Sequence, residues 1–312
     1  MRVLLAGASG AVGIPLISRL RDSGHVVTGI HRAAVGGQFL RAAGASPIQV
    51  DVLDRSALLE ALGDRPFDAV IAELTALKKP TMTHRDMATT DRLRSDGTAN
   101  LLEVARRCGA GRFLTQSIFF GYGFEGWGDR VLTEADPFAP KGRGGFETHL
   151  AAMRANEDQV LGATGLEGIA LRYGLFYGPG PAGDGFVEML RRRRLPAVRP
   201  AGVRPWLYID DAADATLAAL ERGKPGRAYN VVDDEPVSFS EMIQAIAGAV
   251  GAPKPFVAPR WLTVVAPYAR SMMVGDMRLS NALAKSELGW APAVSNYRAG
   301  MARMAAHYAP GG

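Results

Sequence analysis

The seven residues Gly7-Ala8-Ser9-Gly10-Ala11-Val12-Gly13 directly follow an apolar run at 3–6, and this junction constrains the chain more than any other part of it. An apolar run, a glycine-spaced turn and the apolar helical pattern of residues 14–20 read as a strand, a tight turn and a helix start. Glycine turns a backbone sharply and lets another group come close to it. The helix that follows opens with unpaired N–H groups and a partial positive charge, which suits an anion. A β-rich run at 25–30 completes a βαβ unit. Glycines at this spacing in such a unit predict a dinucleotide pyrophosphate over Gly7, Ser9, Gly10, Ala11, Val12 and Gly13.

The rest of the chain extends that unit. β-type runs at 47–50, 67–72, 112–116 and 167–172 each follow a helix-like stretch, the order of an α/β fold with a Rossmann-type, doubly wound parallel sheet. Helices are expected at 56–62, at 86–108 ending on Gly109, and at 148–161 ending on Gly162. Beyond residue 175 the pattern loosens. Proline- and glycine-rich stretches at 179–185, 196–205 and 253–259 mark loops, and 237–250 reads as a helix. The expected division is a dinucleotide-binding domain at 1–175 and a smaller C-terminal substrate lobe at 176–312. The segment near 203–220 is expected to return to the first domain.

With 312 residues, 47% of them hydrophobic, the chain can bury a large core. The single cysteine, Cys108, excludes an intramolecular disulfide, reads as a small buried helix residue and fits a reducing cytoplasm. Gly7 cuts the N-terminal apolar run too early for a signal peptide, and no run reaches the roughly 18 apolar residues of a membrane span. A cytoplasmic protein with no membrane partner is expected. The net charge of +5 is modest. Its one basic run, Arg191 to Arg194, follows Phe186, Val187, Met189 and Leu190, as in an amphipathic helix with a basic end. No nucleic-acid motif accompanies it. No spacing of His, Cys, Asp and Glu suggests a metal.

Several stretches together resemble the extended short-chain dehydrogenase/reductases of the NAD-dependent epimerase/dehydratase type. They are the glycine turn, Asp51-Val52-Leu53-Asp54, Asp96-Gly97-Thr98-Ala99-Asn100, Gly121-Tyr122-Gly123, and Arg172-Tyr173-Gly174-Leu175-Phe176-Tyr177-Gly178-Pro179-Gly180. Arg204-Pro205-Trp206-Leu207-Tyr208-Ile209-Asp210-Asp211 and Glu287-Leu288-Gly289-Trp290 follow at matching distances. The resemblance covers nearly the whole chain and implies a nicotinamide dinucleotide in the first portion and a small-molecule substrate held by the C-terminal segments. It also implies a homodimer through the helices at 86–108 and 148–161. Leu74 and Tyr173 fall at cofactor-lining positions, and Asp51 with Val52 at the adenine, although Asp51 also reads as a turn or cap residue. NAD-binding members carry an acidic residue at the end of the second strand; here His31 and Arg32 stand there. Arg32 would attract a 2′-phosphate rather than repel it, so NADP(H) is expected ahead of NAD.

The catalytic positions depart from the family pattern, which places a Ser or Thr after the fifth strand and a Tyr-x-x-x-Lys pair on the next helix. Aligned on Glu157, His149 takes the Tyr position and Met153 the Lys position. Aligned on Tyr122-Gly123, Ile118 takes the Ser position with Ser117 beside it, and Arg94 stands where Asn is frequent. The expected acid/base candidates are His149, whose imidazole titrates near neutral pH, with Tyr122 and Ser117; a packed histidine is the alternative. Residues 124–145 are expected as a lid-like insertion bearing Glu125, with Glu147 just beyond it as a second candidate base. His84 and Arg85, with Lys78 and Lys79, are expected at the cleft mouth. Tyr177 and Arg204 are candidate substrate contacts, Arg204 because sugar-nucleotide members hold a diphosphate there. Asp210 and Asp211 read as caps of a helix at 212–220. Two functions follow: an NADP(H)-dependent reductase, epimerase or dehydratase with a rearranged acid/base set, or a redox-silent dinucleotide sensor or isomerase/cyclase on the same scaffold.

Overall fold

The computed structural model of the chain describes residues 1–77, 83–142 and 144–309; Lys78 and Lys79 lie outside these. Seven strands, β1 (Arg2–Ala6), β2 (Val26–His31), β3 (Ser46–Gln49), β4 (Ala69–Ala72), β5 (Arg112–Ile118), β6 (Glu167–Tyr173) and β7 (Arg227–Val231), form one sheet. Its spatial order is β7-β6-β5-β4-β1-β2-β3, and every pairing is parallel. Val3, Leu4, Leu5 and Ala6 of β1 have no exposed surface, because β1 lies mid-sheet with helices over both faces. On one face α1 (Gly13–Asp22) packs with Val3, Leu5, Ile71 and Leu114 through Leu16, Ile17 and Leu20. On the other, α2 (Arg55–Leu62) and α3 (Thr98–Arg107) bury Leu58, Leu62, Leu101 and Val104 against Leu4, Ala6, Val70 and Phe113. The alternation along each strand sends neighbouring residues to opposite layers.

The helix expected at 86–108 is one helical run with a changing pitch: a 3₁₀ turn at His84–Met87, α-helix at Ala88–Arg92, a π turn at Leu93–Gly97, then α3. A π turn inside a helix often marks a functional site, and this one carries Leu93 and Arg94 onto a cavity wall. The helix α4 (Gly145–Leu161) begins three residues before the expected start. After β6, Trp206–Tyr208 pairs in parallel with Leu175–Tyr177, and α5 (Ile209–Arg222) lies against α1 with Ala212, Ala215 and Ala219 in the sheet core. A second core packs Phe119, Phe120 and Trp206 against Phe239, Ile243, Met273 and Met304 of the helices at Phe239–Ala249, Pro267–Val274 and Tyr297–Tyr308.

Two local expectations change. Asp211 is not a helix cap: its carboxylate accepts the backbone N–H groups of Ala293 and Val294, both at 2.9 Å, tying α5 to the C-terminal segment, while Asp210 pairs with Arg19 at 3.1 Å. The insertion at 124–145 is stitched down, with Val131–Leu132 paired to Arg278–Leu279 and the Trp127 N–H donating to the Asp276 carbonyl at 2.7 Å. No helix among the described residues is long and apolar enough to cross a membrane.

Candidate active site

At the edge where the strand order reverses between β1 and β4, a cavity of about 560 Å³ runs along the C-terminal strand ends, the place where open α/β sheets bind ligands. Gly7, with φ of 86°, opens the turn, and a Cβ on it would enter the Glu73 carbonyl. A Cβ on Gly13 would enter the Gly7 carbonyl, so α1 seats directly beneath the turn. Gly7, Ser9, Gly10, Ala11 and Val12 line the cavity, and Gly13 lies under them. This bare backbone at a helix start fits a pyrophosphate. Farther along, Ile30, Val50 and Val52 make an apolar slot with His31 and Arg32 at its edge. His31 is buried, its Nδ1 2.8 Å from the Ala33 carbonyl. Arg32 is half exposed, 3.8 Å from Asp51. Asp51 itself is off the cavity wall and accepts the Leu53 N–H at 3.0 Å; the helix cap is Asp54, which accepts from Ala57.

At the other end Leu74, Gln116, Ile118, Met153 and Tyr173 form the wall. Ile118 and Met153, the residues expected at the Ser and Lys positions, both line the cavity. Ser117 points the opposite way, as the strand alternation requires, and its hydroxyl donates to Glu157 at 2.5 Å. Glu157 is bound by Arg172, Nη2 to Oε2 at 2.7 Å, and Arg172 Nη1 donates to the Tyr122 hydroxyl at 2.8 Å. That hydroxyl in turn reaches Asn230 Oδ1 at 2.9 Å, and burial raises its pKa to about 12. Ser117 and Tyr122 are therefore corrected from acid/base candidates to members of a buried structural network. Tyr177 is likewise spent, donating to Asp233 at 2.8 Å. Arg204 binds the carbonyls of Met272, at 2.9 Å, and Ser271, with its guanidinium over Phe120; it is fully buried and off the cavity wall. Glu147 accepts the Gly142 N–H at 2.5 Å.

His149 sits behind the wall made by Met153 and Tyr268. Its Nδ1 is 2.6 Å from Asp91 Oδ2 and its Nε2 is 2.9 Å from Nδ1 of His84. Burial, helped by the neighbouring His149, lowers the His84 pKa, with Asp91 pulling the other way. The Asp91–His149–His84 chain thus packs under the cavity edge, with the Tyr268 ring 5.5 Å from that of His149.

Three wall residues had no assigned role in the sequence. Glu73 is buried, lines the cavity and accepts the Tyr173 hydroxyl at 2.9 Å on one oxygen; its other oxygen has no partner, and burial pushes its pKa up to about 8. Tyr268 lines the cavity and its hydroxyl makes no hydrogen bond to a described residue. Arg94, recognised only as a departure from Asn, is the buried cation of the wall. Glu73 was readable only as the end of a strand, and Tyr268 sits in a segment whose fold no motif announces. No cluster of three or more His, Cys, Asp and Glu suited to a metal occurs among the described residues.

The model of the NAD dependent epimerase/dehydratase family matches residues 3–232. The chain belongs to this family. As a member it is similar to the 3-diazoavenalumate denitrifying reductase of a Streptomyces species, at 35% identity with 97% of this chain and 100% of that protein covered. It is also similar to the UDP-glucose 4-epimerase of Mycolicibacterium smegmatis, at 29% identity with 95% of each covered. Among solved structures, the Thermus thermophilus UDP-glucose 4-epimerase in complex with NAD superposes with a TM-score of 0.78 at 25% identity, each chain covered completely (100%). This family member therefore falls in the class of NAD(P)-dependent oxidoreductases and epimerases.

Proposed function

We propose that the protein is a cytoplasmic, homodimeric NADP(H)-dependent reductase that removes a diazo group from a small aromatic substrate. The observation that carries it is the cavity wall, where Ile118 and Met153 stand in place of the hydroxyl and ammonium that carbonyl reduction uses, in a chain 35% identical over its length to a denitrifying diazo reductase. The glycine turn would hold the pyrophosphate, the slot of Ile30, Val50 and Val52 the adenine, and Arg32 the 2′-phosphate. A bound reduced nicotinamide supplies a hydride. At an aryl diazonium the ring carbon gains that hydride, and N₂ leaves with the electron pair of the broken C–N bond, so no protein group has to protonate a developing oxyanion. Ile118 and Met153 exclude water that would otherwise capture the electrophile.

Mixing the protein with deuterated NADPH and an aryl diazonium salt should release one N₂ for each NADPH oxidised and leave deuterium on the arene. Oxidation without N₂, or N₂ without deuterium, overturns the proposal. Arg32→Glu should weaken NADPH binding by about ten-fold or more while sparing NADH, because charge-assisted hydrogen bonds contribute about 1.5–3 kcal/mol. Titration of both dinucleotides checks it, and an unchanged preference removes Arg32 from phosphate recognition.

A second reading, reduction of a carbonyl, draws on Tyr268. Its hydroxyl, which makes no hydrogen bond to a described residue, could serve as proton donor from the cavity wall. Burial raises its pKa to about 12, with the nearby Arg94 charge pulling the other way. The two readings part on one variant. Tyr268→Phe should cost carbonyl turnover about 10²–10⁴-fold, yet leave N₂ release from the diazonium within a few-fold.

A further inference from the structure

The cavity wall holds a buried cation that makes no hydrogen bond to a described residue and whose one ion pair there, to Asp91, is long. Arg94, on the π turn, is 8% exposed and lines the cavity, yet its guanidinium forms no hydrogen bond with any described residue. Nη1 is wholly buried and makes no hydrogen bond to a described residue. Its ion-pair partner is Asp91 Oδ1, 3.9 Å away, too far for a hydrogen bond, and the other oxygen of Asp91 is engaged by His149 at 2.6 Å. Burial lowers the Arg94 pKa, a sign of the cost of holding this charge here. Around it the wall is apolar or aromatic: Met87, Phe120, Met153, Tyr268 and Met272.

A guanidinium that leaves its donors unused in a low-dielectric wall is expensive to keep unless a ligand completes it. Its planar fork matches a carboxylate bidentately. We infer that Arg94 is the specificity residue for the substrate's anionic group: the protein takes a planar aromatic acid whose carboxylate seats on Arg94 and whose ring lies among Phe120, Met153 and Tyr268. This deepens the reductase reading above, since it rests on the same cavity being the substrate site, and it adds the substrate's charge and the end of the cavity it occupies.

The test is calorimetric titration of the full-length protein with trans-cinnamate and with cinnamamide, a neutral amide of the same shape. Wild type should bind cinnamate at least about ten-fold more tightly, as expected for charge-assisted pairing. Arg94→Gln should bring the two within about two-fold, and Arg94→Lys should keep part of the preference. Equal binding of the two probes by wild type, failure to bind either, or a preference that survives in Arg94→Gln overturns the inference. The wild-type comparison stands even if the glutamine variant fails to fold. The result is separable from the proposed reaction: an Arg94-dependent preference for cinnamate without N₂ release would retire the diazo chemistry and keep the anionic substrate.

Discussion

Arg172→Met is expected to destabilise the fold by about 3–5 kcal/mol, the range for removing one partner of a buried ion pair. Glu157, 2% exposed, would be left as a buried carboxylate whose hydrogen bond from Ser117 replaces only a fraction of what Arg172 supplies through three contacts of 2.7–3.2 Å. Tyr122 would lose the donor on its hydroxyl at the same time. Urea unfolding should show the midpoint falling with the slope unchanged, the mark of lost stability rather than of altered compactness. The double variant Arg172→Met/Glu157→Leu should recover much of the loss, because neutralising both partners removes the stranded charge. A single variant as stable as wild type would show that the network is not a determinant of the fold. One less stable in the double form than in the single would show that packing, not charge, sets the cost.

Glu73→Gln is expected to raise stability at alkaline pH and to flatten its pH dependence. Burial lifts the Glu73 carboxyl from 4.5 to about 8, so the native state keeps a proton that the unfolded chain gives up. The stability this proton supports is fully present below about pH 4.5 and is lost as pH rises through about 8, at up to about 1.4 kcal/mol per pH unit. Asp233, also buried and raised to about 8, slopes in the same direction, so the variant should be less steep than wild type without becoming flat. Glutamine can still accept the Tyr173 hydroxyl and cannot ionise. Thermal unfolding from pH 5 to 9 checks this, and parallel curves for variant and wild type would mean that Glu73 is solvated in the native state.

Much of the frame was legible because it depends on local rules. The strand, glycine turn and helix at the N-terminus, and the runs that became β3 to β6, follow from periodicity and from the few residues that can make such a turn. The wall positions of Ile118 and Met153 could be named from their spacing to Tyr122 and Glu157. Ser117 was misread for a simple reason: the side-chain period of a strand is two, and a shift of one residue moves a hydroxyl from the cavity to the opposite layer. The fate of Asp211 shows the same limit, since it rests on Ala293 and Val294, far away in the chain.

The sequence by itself determined the parallel sheet and the glycine turn that opens it, because each is a matter of residue type at fixed local spacing. Only the tertiary structure decided which polar groups are satisfied and which are left open. Tyr122 and Tyr177 are spent on partners 108 and 56 residues away, while Arg94, Glu73 and Tyr268 are brought to one cavity and left with unused capacity among the described residues. Hydrogen-bond satisfaction and desolvation are properties of the packed neighbourhood, and neither is written in the spacing of residues along the chain.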